Sequence, residues 1–167
     1  MTLKEYKSKR NLKKSGEPKP KLENSKSKNK EKSRFSSEAK KKIFVIQEHN
    51  ASHLHWDFRL EMNRTLKSWA IPKIPEAVND GKTKRLAIQV EDHPLSYAKF
   101  EGEIKEGYGK GTVKIFDHGT YELKSHDDKK IEFKLHGKKL KGDYVLIKTN
   151  YGKTEEQKNK SWLFFKV

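Results

Sequence analysis

The chain has no cysteine among its 167 residues, which excludes both a disulfide framework and a thiolate metal site. No apolar run approaches the ~20 residues of a membrane span. The opening Met1-Thr2-Leu3-Lys4-Glu5 lacks the apolar core of a secretory leader. There is no internal repeat and no long amphipathic helical pattern. Acidic residues are the scarcer charge: 23 Asp+Glu stand against 39 Lys+Arg, a formal net charge of +16. That excess favours a polyanionic partner. A chain without cysteine, leader or membrane span is expected to be a soluble cytoplasmic protein, most simply a monomer, whose polyanionic partner is nucleic acid or an anionic membrane surface.

The charge is unevenly spread. Residues 1–42 carry 16 Lys/Arg and 5 Asp/Glu, a net +11 that leaves only +5 for residues 43–167. Lys19 to Lys32 is rich in Lys, Ser, Asn and Glu, with Leu22 as its one large apolar side chain. Such a stretch cannot bury enough surface to offset its ordering entropy, so a flexible linker over about 21–37 is expected. From Ile43 the pattern changes to short apolar alternations between Gly, Asn, Asp and Pro, at 43–49, 54–62, 65–71, 84–92, 111–116, 119–124, 130–136, 143–149 and 161–167. Period-2 alternation marks half-buried strands, and many short strands in close succession imply an antiparallel sandwich or barrel. The organisation expected is a basic N-terminal arm over 1–42 and a mainly β domain over 43–167.

The chemistry concentrates in Gln47–Glu61. Leu54, Trp56, Phe58, Leu60 and Met62 fall on one face of a strand, and His55, Asp57, Arg59 and Glu61 on the other. Side chains two apart on a strand are neighbours, so His55 and Asp57 can share one metal ion, with His49 at the end of the preceding strand as third ligand. Two imidazoles and a carboxylate suit Mn²⁺, Fe²⁺ or Zn²⁺ and leave positions open for substrate or water. Arg59 then offers a planar fork for a phosphate oxygen beside the ion. A solvated polar strand face would carry the same residues.

Other groups are weaker alone. In Glu91-Asp92-His93-Pro94-Leu95-Ser96-Tyr97, His93 and Tyr97 can donate hydrogen bonds to a phosphate, or His93 can protonate a leaving oxygen. Lys73 and Arg85 are cations at strand ends, where surface charge is the ordinary reading. Gly107-Tyr108-Gly109-Lys110-Gly111-Thr112 lacks the spacing of a phosphate-cradling loop and reads as a turn. Parity turns His53 away from His55. Two rivals share part of the evidence: a non-haem Fe(II) oxygenase, which uses the same triad, and a non-catalytic basic β-barrel that stacks single strands on aromatic rings.

Taken together these segments resemble the 3′-phosphoesterase family, the module found in bacterial ATP-dependent DNA ligase D and in free-standing archaeal proteins. The resemblance is carried by Tyr6-x-x-Lys9-Arg10, Glu17-Pro18, the Gln47–Glu61 stretch, Leu66-Lys67-Ser68-Trp69-Ala70-x-Pro72-Lys73 and Arg85-Leu86-Ala87. It continues through Glu91-Asp92-His93-Pro94-Leu95-x-Tyr97, Phe100-Glu101-Gly102, Tyr108-Gly109-x-Gly111-Thr112-Val113, Asp117-x-Gly119-Thr120-Tyr121 and Trp162-Leu163. It implies a compact antiparallel β-barrel with minor flanking helices. It also implies a divalent metal, Mn²⁺ first and Zn²⁺ or Co²⁺ as substitutes. The implied activity removes a 3′-terminal ribonucleoside and then the remaining 3′-phosphate, at the ends of primer-template or nicked duplex, beside a ligase and a polymerase.

Position by position, the resemblance makes His49, His55 and Asp57 the metal ligands. Arg59, His93 and Tyr97 fall where the family contacts the scissile phosphate, and Arg10 and Glu17 where its N-terminal arm reaches the same site. Lys73 and Arg85 match basic positions that face substrate. If Arg10 and Glu17 belong to the site, the first ~20 residues must fold against the barrel. The sequence departs from the family at turns: Ile74 follows Lys73 where glycine is usual, and Asn63-Arg64 lacks the customary glycine.

Overall fold

The computed structural model describes residues 2–20 and 41–167. The expected linker over 21–37 lies outside the described residues. Nine strands form the sheet: β1 (Lys42–Asn50), β2 (Leu54–Met62), β3 (Thr65–Ile71), β4 (Arg85–Pro94), β5 (Gly102–Ile104), β6 (Gly111–His126), β7 (Lys130–His136), β8 (Lys141–Lys148) and β9 (Ser161–Lys166). All neighbouring pairs are antiparallel, in the order β1-β2-β3-β4-β9-β8-β7-β6-β5. A further β1–β6 pairing closes eight of the strands into a barrel, with β5 lying along the start of β6. Two six-residue helices accompany them, α1 (Leu3–Ser8) and α2 (Glu155–Lys160), as do short 3-10 turns at Pro75–Asp80 and Leu95–Lys99.

The period-2 pattern explains which side chains fill the barrel. Phe44 and Ile46 of β1, Trp56, Phe58, Leu60 and Met62 of β2, and Trp69 and Ile71 of β3 share one core with Phe133, Leu146 and Phe164 from the far wall. Phe58 packs ring to ring with Phe133 and Phe164, at centroid distances of 5.7 and 5.1 Å. The alternate residues of β1–β3 therefore point outward, yet they too are covered. A second apolar cluster of Tyr6, Val45, Leu66, Tyr97 and Ala98 lies outside the barrel wall, beneath α1 and the Leu95–Lys99 turn.

Two local devices set the wall's register. The β2–β3 hairpin turns on Asn63 and Arg64, both at positive φ (51° and 61°), as a two-residue turn matched to strand twist requires. On β4, Leu66 of β3 faces His93 and Ser68 faces Val90, so Glu91 and Asp92 together stand opposite Lys67. This bulge inverts the alternation, and the consecutive Val90 and Glu91 both reach the outer cleft.

Candidate metal and phosphate site

The outer face of β1–β4 forms the floor of a cleft of about 380 Å³. Residues 2–20, the Leu95–Lys99 turn and the 104–111 loop wall it in. His49, His55, Asp57, Arg59, His93, Tyr97, Arg10 and Glu17 all line it. Lys73 and Arg85 do not. Arg85 instead donates from Nε to the Ile74 carbonyl at 3.0 Å, and Lys73 is exposed just beyond β3.

The donor set comes from one hairpin. His49 pairs with His55 across β1–β2, and Asp57 follows two residues on, facing the same way. One ligand atom from each of the three lies within 4.8 Å of the others. His49 Nδ1 stands 3.4 Å from Asp57 Oδ2, and His55 Nε2 stands 3.6 Å from Asp57 Oδ1.

The opposite ring nitrogens are both committed. His49 Nε2 donates to the Gly109 carbonyl at 2.6 Å, and His55 Nδ1 donates to the His53 carbonyl at 2.9 Å. A carbonyl can only accept, so each ring carries a proton on the far side, and the nitrogen that faces Asp57 is the one left to ligate when it is unprotonated. Backbone carbonyls that fix the tautomer and orientation of two histidines are the usual outer layer of a metal site. The donor set therefore fits a divalent ion of borderline softness. Gly109 has φ +80°, which favours glycine, and a Cβ there would sit 3.2 Å from His49 Cε1, so any side chain would need the imidazole to give by a few tenths of an ångström.

Next along β2, Arg59 is 2 % exposed. Its Nε donates to Gln47 Oε1 at 2.8 Å, its Nη2 reaches Asp57 Oδ2 at 3.2 Å, and its guanidinium lies over the Tyr97 ring at 4.8 Å. Its Nη1 is buried and has no hydrogen-bond partner among the described residues. Burial pushes the Asp57 carboxyl up, but the Arg59 charge and the two imidazoles outweigh it and hold that carboxyl well below its usual range. Asp57 is thus an anion ready to ligate. His55 is likewise desolvated, yet its bond to Asp57 and that residue's charge raise it above its ordinary value. A cation binding there competes with a proton for that nitrogen.

The third part of the cleft spans the arm and β4. Arg10 donates from Nε to Glu17 Oε1 (2.9 Å) and from Nη1 to Glu91 Oε1 (2.6 Å), and its Nη2 stands 3.4 Å from His93 Nε2. Tyr97 donates to Glu17 Oε1 at 3.0 Å, leaving Glu17 Oε2 buried and unpaired. Tyr6, fully buried, anchors the arm through its hydroxyl to the Pro18 carbonyl at 2.8 Å. His93 Nδ1 donates to the Glu91 carbonyl at 2.9 Å, so its Nε2 is a bare acceptor facing Arg10. Burial, then the charges of Arg59 and Arg10, hold His93 well below its ordinary value. It is neutral in the protein alone.

Sequence reasoning missed the residues that act through others. Gln47 aims Arg59, Glu91 aims both Arg10 and His93, and the carbonyls of His53 and Gly109 orient the two imidazoles. Gln47 and Glu91 stand in the motifs already read, but backbone carbonyls leave no trace in residue identity. His53 lines the cleft from the bend between β1 and β2, where strand parity does not apply. Trp56, Phe58 and Trp69, the rings that the strand motifs would offer to a strand-stacking module, are buried in the barrel.

Comparison with known proteins points the same way. The family model for the DNA Ligase D 3′-phosphoesterase domain matches residues 47–148. The multifunctional non-homologous end joining protein LigD of Pseudomonas aeruginosa is 50% identical over 113 residues, 64% of this chain. The end joining DNA repair protein LigD of Mycobacterium tuberculosis is 50% identical over the same length, and that of Mycolicibacterium smegmatis 43% identical over 133 residues, 72% of this chain. The matched stretches cover only 13%, 14% and 16% of those three proteins, so the chain corresponds to a small part of each. No helix among the described residues is long and apolar enough to cross a membrane.

Proposed function

The chain belongs to the DNA ligase D 3′-phosphoesterase domain family, and from that premise we propose that it is a Mn²⁺-dependent enzyme that heals nucleic-acid 3′ ends. Its substrates are strands ending in a ribonucleoside or a 3′-phosphate, in primer-template or nicked duplex. Its partners are a ligase and a polymerase that use the 3′-OH it leaves. The observation that carries the reading is Arg59 Nη1, a buried, unpaired donor beside the Asp57 cluster. An orphaned charged donor costs more than a neutral one, and a phosphate oxygen is the acceptor that would relieve it.

His49, His55 and Asp57 would hold the ion. When bound it supplies Lewis acidity toward a phosphate oxygen and a lowered pKa for water. The remaining work belongs to the chain. Arg59, fixed by Gln47 and Asp57, donates to a non-bridging oxygen and neutralises charge as it builds on the phosphorus. Arg10, held between Glu17 and Glu91, presents a second cation to the same group. His93 Nε2 accepts in the protein alone, so it must first take up a proton from solvent, which a bound anionic phosphate beside it favours, before it can give one to the leaving oxygen. Tyr97 donates to Glu17, whose free Oε2 is placed to accept a proton from an attacking water. In each step a P–O bond to water forms and the P–O bond to the sugar breaks. Lys73 and Arg85, outside the cleft, are assigned to the flanking strand rather than the scissile phosphate.

The test is a 5′-labelled primer with one 3′ ribonucleotide, incubated with and without Mn²⁺. Loss of the terminal nucleoside to a 3′-phosphate strand, followed by conversion to 3′-OH, is expected only with metal. Intact primer in both lanes, or equal cleavage in both, overturns the proposal.

A further inference from the structure

Two large aromatic side chains are exposed among the described residues, Tyr108 at 52 % and Tyr151 at 66 %. Only Tyr108 borders the cleft. Its position follows from its neighbours. Gly107 and Gly109 both take positive φ, 83° and 80°, so the chain reverses tightly and leaves the phenol at the tip of the loop. The Gly109 carbonyl receives the His49 Nε2 proton at 2.6 Å, so the ring stands one residue, ~3.8 Å of backbone, from a group that orients the donor set.

Lys9 Nζ and the Arg10 guanidinium lie over the ring, 5.2 and 5.3 Å from its centroid, tying the loop to the arm. Half of its surface still faces solvent. Leu54, at the start of β2, is 47 % exposed and also lines the cleft. The walls around the phosphate are charged, but the mouth is flanked by an aromatic ring and an aliphatic side chain. That is the chemistry of a nucleobase slot rather than of a second phosphate site.

We propose that Tyr108 is the stacking platform for the 3′-terminal nucleobase, with Leu54 as a second wall. The assignment rests on the phosphoesterase reading, because it places the scissile phosphate on the cleft floor and the attached nucleoside at the mouth. A ring reads the face common to all bases, so it positions the end without selecting its sequence. That suits an enzyme that must accept whatever end is presented. Tyr108 is thus a positioning residue: it sets affinity and register and does not touch the reacting atoms.

The experiment uses the full chain and an all-deoxy strand ending in 2-aminopurine-2′-deoxyriboside with a 3′-OH, whose fluorescence is quenched by stacking and which carries neither a terminal ribonucleoside nor a 3′-phosphate to remove. The wild type and Tyr108→Phe should quench it. Tyr108→Ala and Tyr108→Leu should not, and should bind it about tenfold more weakly. A strand with an abasic 3′ end should bind wild type and Tyr108→Ala equally. Quenching that persists in Tyr108→Ala, no quenching by the wild type, or an equal loss of affinity for the abasic strand would each overturn the assignment. Hydrolysis of a 3′-phosphate strand, measured in parallel, reports on the phosphoesterase reading separately, since stacking is seen here without turnover.

Discussion

β2 and β7 carry the same alternation of apolar and charged residues, and the fold treats their outer faces in opposite ways. Both send every second side chain into one core, Phe58 from β2 and Phe133 from β7 meeting ring to ring. On the outer face of β7, Lys130 and Glu132 pair with side chains 45 % and 36 % exposed. On the outer face of β2, Arg59 and Asp57 pair with side chains 2 % and 10 % exposed. Alternation tells which residues share a face but not what will cover it. The cover over β2 comes from residues 2–20 and the Leu95–Lys99 turn, far away in sequence. Beneath it a surface ion pair becomes a buried one whose electrostatics are poorly screened, and each charge is held by several partners.

The sharpest way to break this contrast is to remove one carboxylate from each strand. Asp57→Ala should abolish metal-dependent activity and lower unfolding stability by about 3–5 kcal/mol, because it leaves Arg59 buried without its counter-charge. Glu132→Ala should leave the urea midpoint and the activity unchanged, as exposed pairs generally do. If the two substitutions shifted the midpoint equally, the cover over β2 would have no energetic meaning.

Arg59→Ala comes next in size, and turnover should fall by about 10²–10³ while metal affinity changes far less. Arg59→Lys should recover little of it, since an ammonium cannot bond Gln47, Asp57 and a phosphate oxygen from one plane. Single-turnover rates together with metal titration separate the two effects. Full recovery by lysine would reduce Arg59 to bulk positive charge.

The smallest effect concerns pH in the metal-free protein, where two histidines act on opposite sides of the ordinary value, about 6.5. His93 is depressed in the fold, so below that value the unfolded chain binds the extra proton and stability drops as pH falls. His55 is raised, so its contribution is complete below that value and is lost as pH rises through its folded pKa. Asp57 is depressed as well, but its window lies below the usual carboxylate range and outside this comparison. Urea midpoints measured from acid to alkaline pH with a chelator should show a maximum. His93→Gln should flatten the acid side and His55→Gln the alkaline side. An unchanged acid limb in His93→Gln would mean that this imidazole is protonated in the fold.

Much of the barrel was legible because its strands are short and strictly alternating. The spans 54–62, 65–71 and 130–136 coincide with β2, β3 and β7. The spans 111–116 and 119–124 are a single strand, β6, which runs through Gly119. A Cβ there would lie 2.3 Å from the His136 carbonyl, so the glycine marks a close approach of β7 rather than a break. β5, three residues long, is too short for any periodic signal. The β4 bulge was equally hidden, since an extra residue opposite Lys67 shows only once the partner strand is known. In the site, strand parity put His55, Asp57 and Arg59 in one row. Parity could not show that Gln47 and Glu91 hold the two arginines, or that Arg85 turns to a backbone carbonyl.

The two halves of the cleft differ in how far the chain must travel to build them. His49 and His55 meet across a three-residue connection between β1 and β2, whereas Arg10 finds Glu91 over 81 residues and Tyr97 finds Glu17 over 80. Short loops close at small entropic cost and form fast, while distant contacts wait on the rest of the fold. Loop closure therefore predicts that the hairpin bearing the imidazoles forms before residues 2–20 dock. The same asymmetry sets the order of local opening. On the proposed function, a state with the arm lifted would still gather its three donor groups but would lack Arg10 and Glu17, so capture of an ion and capture of a phosphate would be separable stages.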